Sequence, residues 1–161
     1  MNYNAASAVA YAHKWAYSRN PRYYDFENIG GDCTNFVSQC IYAGCNVMNY
    51  KPDLGWYYTS LKSRSAAWSG VQFLYNFLTS NKEEGPFGHE APLSHARPGD
   101  VIQLSFDGKG FTHSLIIVDI IMNPQPNGIL VSTHSYDADN RALNTYTYNK
   151  HRLISIDGAR K

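Results

Sequence analysis

Apolar positions change their spacing along the chain, from a helical period before residue 80 to alternating or continuous short runs after Gly99. Asn4 stands where an N-cap would, ahead of a helix carrying Ala5, Val9, Ala10, Ala12 and Trp15 that ends before Pro21. The stretch from Asn20 to Gly31, with Pro21, Tyr23, Tyr24, Gly30 and Gly31, reads as a loop. It delivers the chain into a helix opening at Cys33, in which Phe36, Val37, Cys40 and Ile41 recur at three- and four-residue spacing and for which Gly44 is a natural stop. Tyr50 to Ser65 has no clean period and predicts an irregular crossing loop able to cover a site. Ser69 is the expected cap of a third helix bearing Val71, Leu74, Tyr75, Phe77 and Leu78. Asn81 to Gly99, with Pro86, Pro92 and Pro98, reads as a long loop.

Beyond Gly99 the pattern predicts strands at Asp100 to Ser105, His113 to Met122 and Ile129 to Ser135, with further candidates at Asn144 to Tyr148 and Leu153 to Ile156. Asp107-Gly108-Lys109-Gly110 and Asn127-Gly128 supply the turns of a three-strand meander. Helices first and strands afterwards predict an α+β domain, its N-terminal helices packed on a C-terminal antiparallel sheet. The 161 residues fit one domain, 1–161.

Composition narrows the function. With 14 Lys+Arg against 13 Asp+Glu there is no electrostatic case for nucleic acid or an anionic membrane, so a small polar or peptide-like partner is expected. No apolar run approaches the roughly 20 residues of a membrane span, and no charged-then-apolar leader opens the chain. If Met1 is the natural start, a cytoplasmic location follows; an excised domain would leave extracellular or cell-wall use open. Three cysteines without a C-x-x-C spacing suggest neither a disulfide scaffold nor a structural metal site.

Cys33 is the residue with chemistry to offer. It stands where a Gly-Gly-Asp turn becomes a helix, and unpaired N–H groups of a first helical turn favour thiolate over thiol, so its pKa is expected to fall. A cysteine nucleophile needs a base and a group to orient that base. His113 opens one predicted strand and His134 ends the next, and antiparallel pairing sets the start of the first near the end of the second. This gives Cys33 as nucleophile, His113 as general base and acid, and His134 as the orienting group. Cys40 continues the apolar face and reads as core, Cys45 follows Gly44 and reads as structural, and Asp32 reads as the cap of the Cys33 helix.

The segment Gly-Gly-Asp-Cys-Thr-Asn-Phe-Val-Ser-Gln, from Gly30 to Gln39, closely resembles the putative amidase domain family of bacteria and, more distantly, the Asp-Cys-Ser segment of NlpC-type cell-wall peptidases. Asn20-Pro21 to Tyr24, Arg97 to Ile102, His113 to Val118 and Ser132 to Asn140 resemble the corresponding family blocks, in order. The resemblance implies a papain-like fold, a nucleophile on a helix packed against a sheet that bears the histidines, and cell-wall peptide as substrate. It further implies an upstream tyrosine, Tyr23 or Tyr24, assisting the Cys33 backbone N–H at the oxyanion. The third catalytic position varies in this group and Asp137, Asp139 and Asn140 follow shortly after His134; His134 is preferred because it ends the strand, while Asp137 or Asn140 could orient His113 or shape the pocket.

The expected activity is therefore amide hydrolysis through a thioester on Cys33, on peptides such as peptidoglycan fragments or on small amides, with no metal and no cofactor. Three other readings share these residues. An acyltransferase would send the same thioester to an amine or alcohol. A binding module would keep the fold without turnover. A zinc site would draw on Cys33 with His89, His95, His113 or His134.

Overall fold

The computed structural model describes residues 2–161. Its centre is a helix. Helix α2 (Cys33–Cys45) has 11 of its 13 residues buried, among them Thr34, Asn35, Ser38 and Gln39. Polar groups enter a core only when hydrogen bonded, and each of these is. Asn35 accepts from the Trp68 indole, the Ser38 hydroxyl joins Trp56 Nε1 to the Trp68 carbonyl, Gln39 accepts from Tyr11, and Thr34 meets Ser114. The three- and four-residue apolar spacing identifies only one wall of this helix, because the others are lined by polar side chains with buried partners.

Helix α1 (Ala5–Trp15) starts at the expected cap, with Asn4 Oδ1 accepting from Ser7 N at 3.0 Å. Ala8, Ala12 and Ala16 are fully buried and let α1 lie close on α2. Gly44 serves that approach rather than ending the helix: a Cβ there would sit 2.5 Å from Tyr3 Cε1 and 2.9 Å from the Asn4 carbonyl oxygen. The helix ends at Asn46, which takes the left-handed conformation (φ 58°) that asparagine tolerates and donates its N–H to Tyr42 O.

The crossing loop contains a small hairpin, β1 (Tyr58–Ser60) with β2 (Ser63–Arg64). Two helices follow, α3 (Ala66–Ser69) and α4 (Val71–Ser80), so Ser69 closes α3 and Gly70 holds the cap position of α4. The Ser69 hydroxyl is turned to Arg64 Nε instead. The predicted loop from Asn81 to Gly99 holds a strand, β3 (Gly85–Ala91), and a 3-10 turn at Leu93–His95. Pro86 obscures that strand in the sequence and is tolerated because β3 lies at the edge of the sheet.

The remaining strands are β4 (Val101–Ser105), β5 (His113–Ile120), β6 (Ile129–Thr133), β7 (Ala138–Ala142) and β8 (Lys150–Arg160). With β3 they form a six-stranded antiparallel sheet in the order β3-β8-β4-β5-β6-β7. The fold is α+β, and β4, β5 and β6 are the expected meander. The strand expected at Asn144 to Tyr148 is displaced: β7 is the polar run before it, and Leu143–Thr145 is a 3-10 turn. As an edge strand of sequence Ala-Asp-Asn-Arg-Ala, β7 carries no apolar alternation to announce it. The last strand is longer than its apolar stretch from Leu153 to Ile156 because its ends pair with β3 and β4 through backbone and polar side chains, Arg152 with Gln103 and Arg160 over Phe87.

Both faces of the sheet are covered. Val101, Ile116, Val118, Ile154 and Ile156 belong to one core with the apolar residues of α2 and with Trp56 and Trp68. Ile102, Leu104, Leu115, Ile117, Ile129, Val131 and Leu153 form a second core with Leu143. Burial on both faces is why β5 reads as a continuous apolar run rather than an alternation. No helix among the described residues is long and apolar enough to cross a membrane.

Candidate functional site

Gly30 (φ 89°) and Gly31 (φ 96°) turn the chain into α2 through backbone conformations that other residues rarely adopt. Gly31 also lies against Ser135, whose hydroxyl oxygen accepts from Asp32 N at 3.0 Å. Together these place Cys33 at the first position of the helix, beside the start of β5. Asp32 occupies the cap position, yet its carboxylate makes no capping bond. Its Oδ1 accepts from Phe26 N and Asn35 Nδ2, and its Oδ2 faces His134 Nδ1 at 2.5 Å. Asp32 thus ties the loop, the helix and the end of β6 together, a role its neighbours in sequence do not reveal.

His134 is fully occupied by that arrangement. Its Nε2 lies 2.8 Å from the Trp15 carbonyl oxygen, which only accepts, so Nε2 carries a proton. Its ring stacks on Phe36 with centroids 4.0 Å apart. The expected hydrogen bond from His134 to His113 is therefore not formed, since neither His134 nitrogen is free. Register explains the separation. Ile116 pairs with Ser132 and Ile117 with Val131; continued along the strands, this sets His134 opposite Ser114 and His113 opposite Ser135. Successive side chains point to opposite faces, so His134 turns towards α2 and His113 away from it.

His113 and Cys33 nonetheless line one cleft of about 420 Å³, together with Phe106, Tyr136, Arg141 and Tyr146. A volume of this size suits a small ligand or a short peptide segment. Two larger recesses, of about 590 and 480 Å³, contain neither cysteine nor histidine. His113 is 7% exposed, with Phe106 and Tyr146 flanking its ring at centroid distances of 6.2 and 6.1 Å. Burial pushes its pKa down to about 4, helped by the positive charge of Arg141, so the imidazole is neutral at pH 7.

Burial also governs Cys33. It pushes the thiol pKa up, against the pull of the Ser114 backbone N–H and of the Thr34 hydroxyl and backbone N–H, which favour thiolate. The expected fall at the helix start is overturned, because loss of hydration outweighs the donors that the first turn supplies. The thiol and the imidazole that line this cleft are therefore both neutral at pH 7.

The other sequence candidates lie off this cleft. Tyr23 is buried against Tyr58 and Trp68, with ring centroids at 5.1 and 5.9 Å, and Tyr24 packs on Phe26. Asp137 makes two hydrogen bonds to Arg19, at 2.9 and 3.1 Å, and Asp139 binds His13 and Ser132. Asn140 adopts φ 54° where the pairing of β6 and β7 shifts, and it serves as the bulge residue. His89 pairs with Asp157. Cys40 and Cys45 are buried and unpaired, the second against the Val47 carbonyl. Among the described residues no three His, Cys, Asp or Glu side chains are grouped to hold a metal ion.

Arg141, Phe106, Tyr136 and Tyr146 are the cleft residues that sequence reasoning missed. They come from the turn after β4, the β6–β7 connection, β7 and the segment beyond it, and no spacing within any one of these marks it. Identifying β7 would have been the one available signal, since its register sets Arg141 opposite Val131.

A family profile described as a putative amidase domain matches residues 2–156. Over 140 residues the chain is 33% identical to YhbB, an uncharacterized protein of Bacillus subtilis (strain 168), an alignment covering 86% of this chain and 43% of the relative. The chain thus spans less than half the length of that relative. No solved structure matches the chain.

Proposed function

The chain belongs to the putative amidase domain family, and from that premise we propose that it is a cysteine-dependent amide-bond hydrolase of papain-like fold. The observation that carries this reading is the shared cleft: the thiol at the start of α2 and the imidazole at the start of β5 open into one cavity and no acidic side chain intervenes. In the proposed cycle Cys33 Sγ attacks the amide carbonyl carbon while His113 takes the sulfur proton. The C–N bond breaks, His113 returns the proton to the departing amine, and a thioester remains. Water then gives a proton to His113 as its oxygen attacks the thioester carbon, releasing the acid and restoring the thiol. The Cys33 backbone N–H, at the helix start, is the proposed donor to the oxyanion.

His134 takes a positioning role in this scheme. It holds Asp32, and Asp32 holds both the loop entering α2 and Asn35 within it. Cell-wall peptides are the substrate class to test first, with simple amides as comparison. The test is turnover of such a panel by the unmutated protein and by Cys33→Ala. Loss of hydrolysis in the variant supports the reading, and full retention sinks it. Product analysis with and without an added amine separates hydrolysis from acyl transfer.

A further inference from the structure

Arg141 lies in the cleft with Cys33 and His113 and has no carboxylate partner within salt-bridge distance among the described residues. Two other arginines, by contrast, are ion-paired. Arg19 meets Asp25, Glu27, Asp32 and Asp137, and Arg97 meets Asp100. The Arg141 guanidinium is instead held in place by neutral groups. It lies 3.7 Å over the Tyr146 ring, its Nε donates to Thr145 Oγ1 at 2.8 Å, and Nη2 donates to the Thr145 carbonyl at 3.1 Å. The Nη1 donors remain open, as does one of Nη2, and these suit a carboxylate bound through both oxygens. No Asp or Glu lines the cleft to compete for them.

We propose that Arg141 is a specificity-determining residue, and that the amide substrate carries a carboxylate which pairs with its guanidinium while the scissile carbonyl lies at Cys33. The inference rests on Cys33 being the reactive group of this cleft. A fixed fork stacked on an aromatic face loses little freedom when it binds, so a charge-assisted pair there should favour an acidic ligand by about tenfold to hundredfold over its neutral amide.

Iodoacetate and iodoacetamide test this without a known substrate. Each forms an S–C bond at Cys33 with departure of iodide, and they differ by a carboxylate against a carboxamide. Rates are followed by peptide mass at Cys33 alone, in unmutated protein, Arg141→Met and Arg141→Lys. The iodoacetate-to-iodoacetamide rate ratio is expected to fall about tenfold in Arg141→Met and to stand higher in Arg141→Lys, which keeps the charge. Thiolate content cancels in the ratio. Removing Arg141 also relieves its repulsion of a protonated His113, which would raise the ratio, so a fall cannot arise that way. Equal ratios in all three proteins overturn the proposal. So does a fall that lysine does not lessen, which would reflect lost packing on Tyr146. The hydrolase reading fails separately, by retained amide turnover in Cys33→Ala.

Discussion

At the scale of single residues, the same sequence run yields two unlike roles. Cys33 was legible because a glycine turn running into a helix is a local pattern. The partnership of Asp32 with His134 was not, since the two are 102 residues apart and the helix start offers Asp32 a plausible local use as a cap. Both side chains are 1% exposed and their bond lies inside the core. Removing Asp32 leaves His134 Nδ1, the Phe26 N–H and the Asn35 amide without their shared partner, and buried groups left unsatisfied cost about 1–3 kcal/mol each, about 3–5 kcal/mol together. Asp32→Ala is expected to lose stability in that range in urea unfolding. A loss below about 1 kcal/mol would show that the pair does not anchor the entry to α2.

At the scale of elements, long apolar runs were read correctly and polar or proline-bearing strands were not. Helix α1, helix α2 and the β4-β5-β6 meander have patterns that only one element satisfies. Strands β3 and β7 lie at the sheet edges, where side chains bury little and pairing is carried by the backbone, so their sequences look like loops. Gly44 shows the converse error, a glycine placed as a stop signal when packing between helices requires it. Gly44→Ala would gain helix propensity of about 1 kcal/mol, yet the added methyl meets Tyr3 and the Asn4 backbone. Overpacking of this kind costs about 1–3 kcal/mol, so the variant is expected to be less stable by thermal unfolding. A raised Tm would show that α1 shifts freely over α2.

At the scale of the whole molecule, the fold delivers to one cleft groups drawn from the β4–β5 connection, from β7 with the segments flanking it, and from the central helix, and burial sets the protonation of Cys33 and His113. The folded pKa of His113 is about 4 against an ordinary 6.5, so between those values the unfolded chain binds more protons. Its contribution is present in full above about pH 6.5 and is lost as the pH falls through about 4. The difference amounts to about 3 kcal/mol at most. Denaturant unfolding of His113→Gln across this window should fall less steeply with acid than that of the unmutated protein, and parallel curves would place His113 in a hydrated setting. The central claim, that this family member hydrolyses amides through Cys33, is tested most directly by kcat/KM for a hydrolysed amide in unmutated protein and in Cys33→Ala. Loss of the nucleophile is predicted to lower it by about a thousandfold or more, whereas a value within about threefold of the unmutated protein would contradict the account.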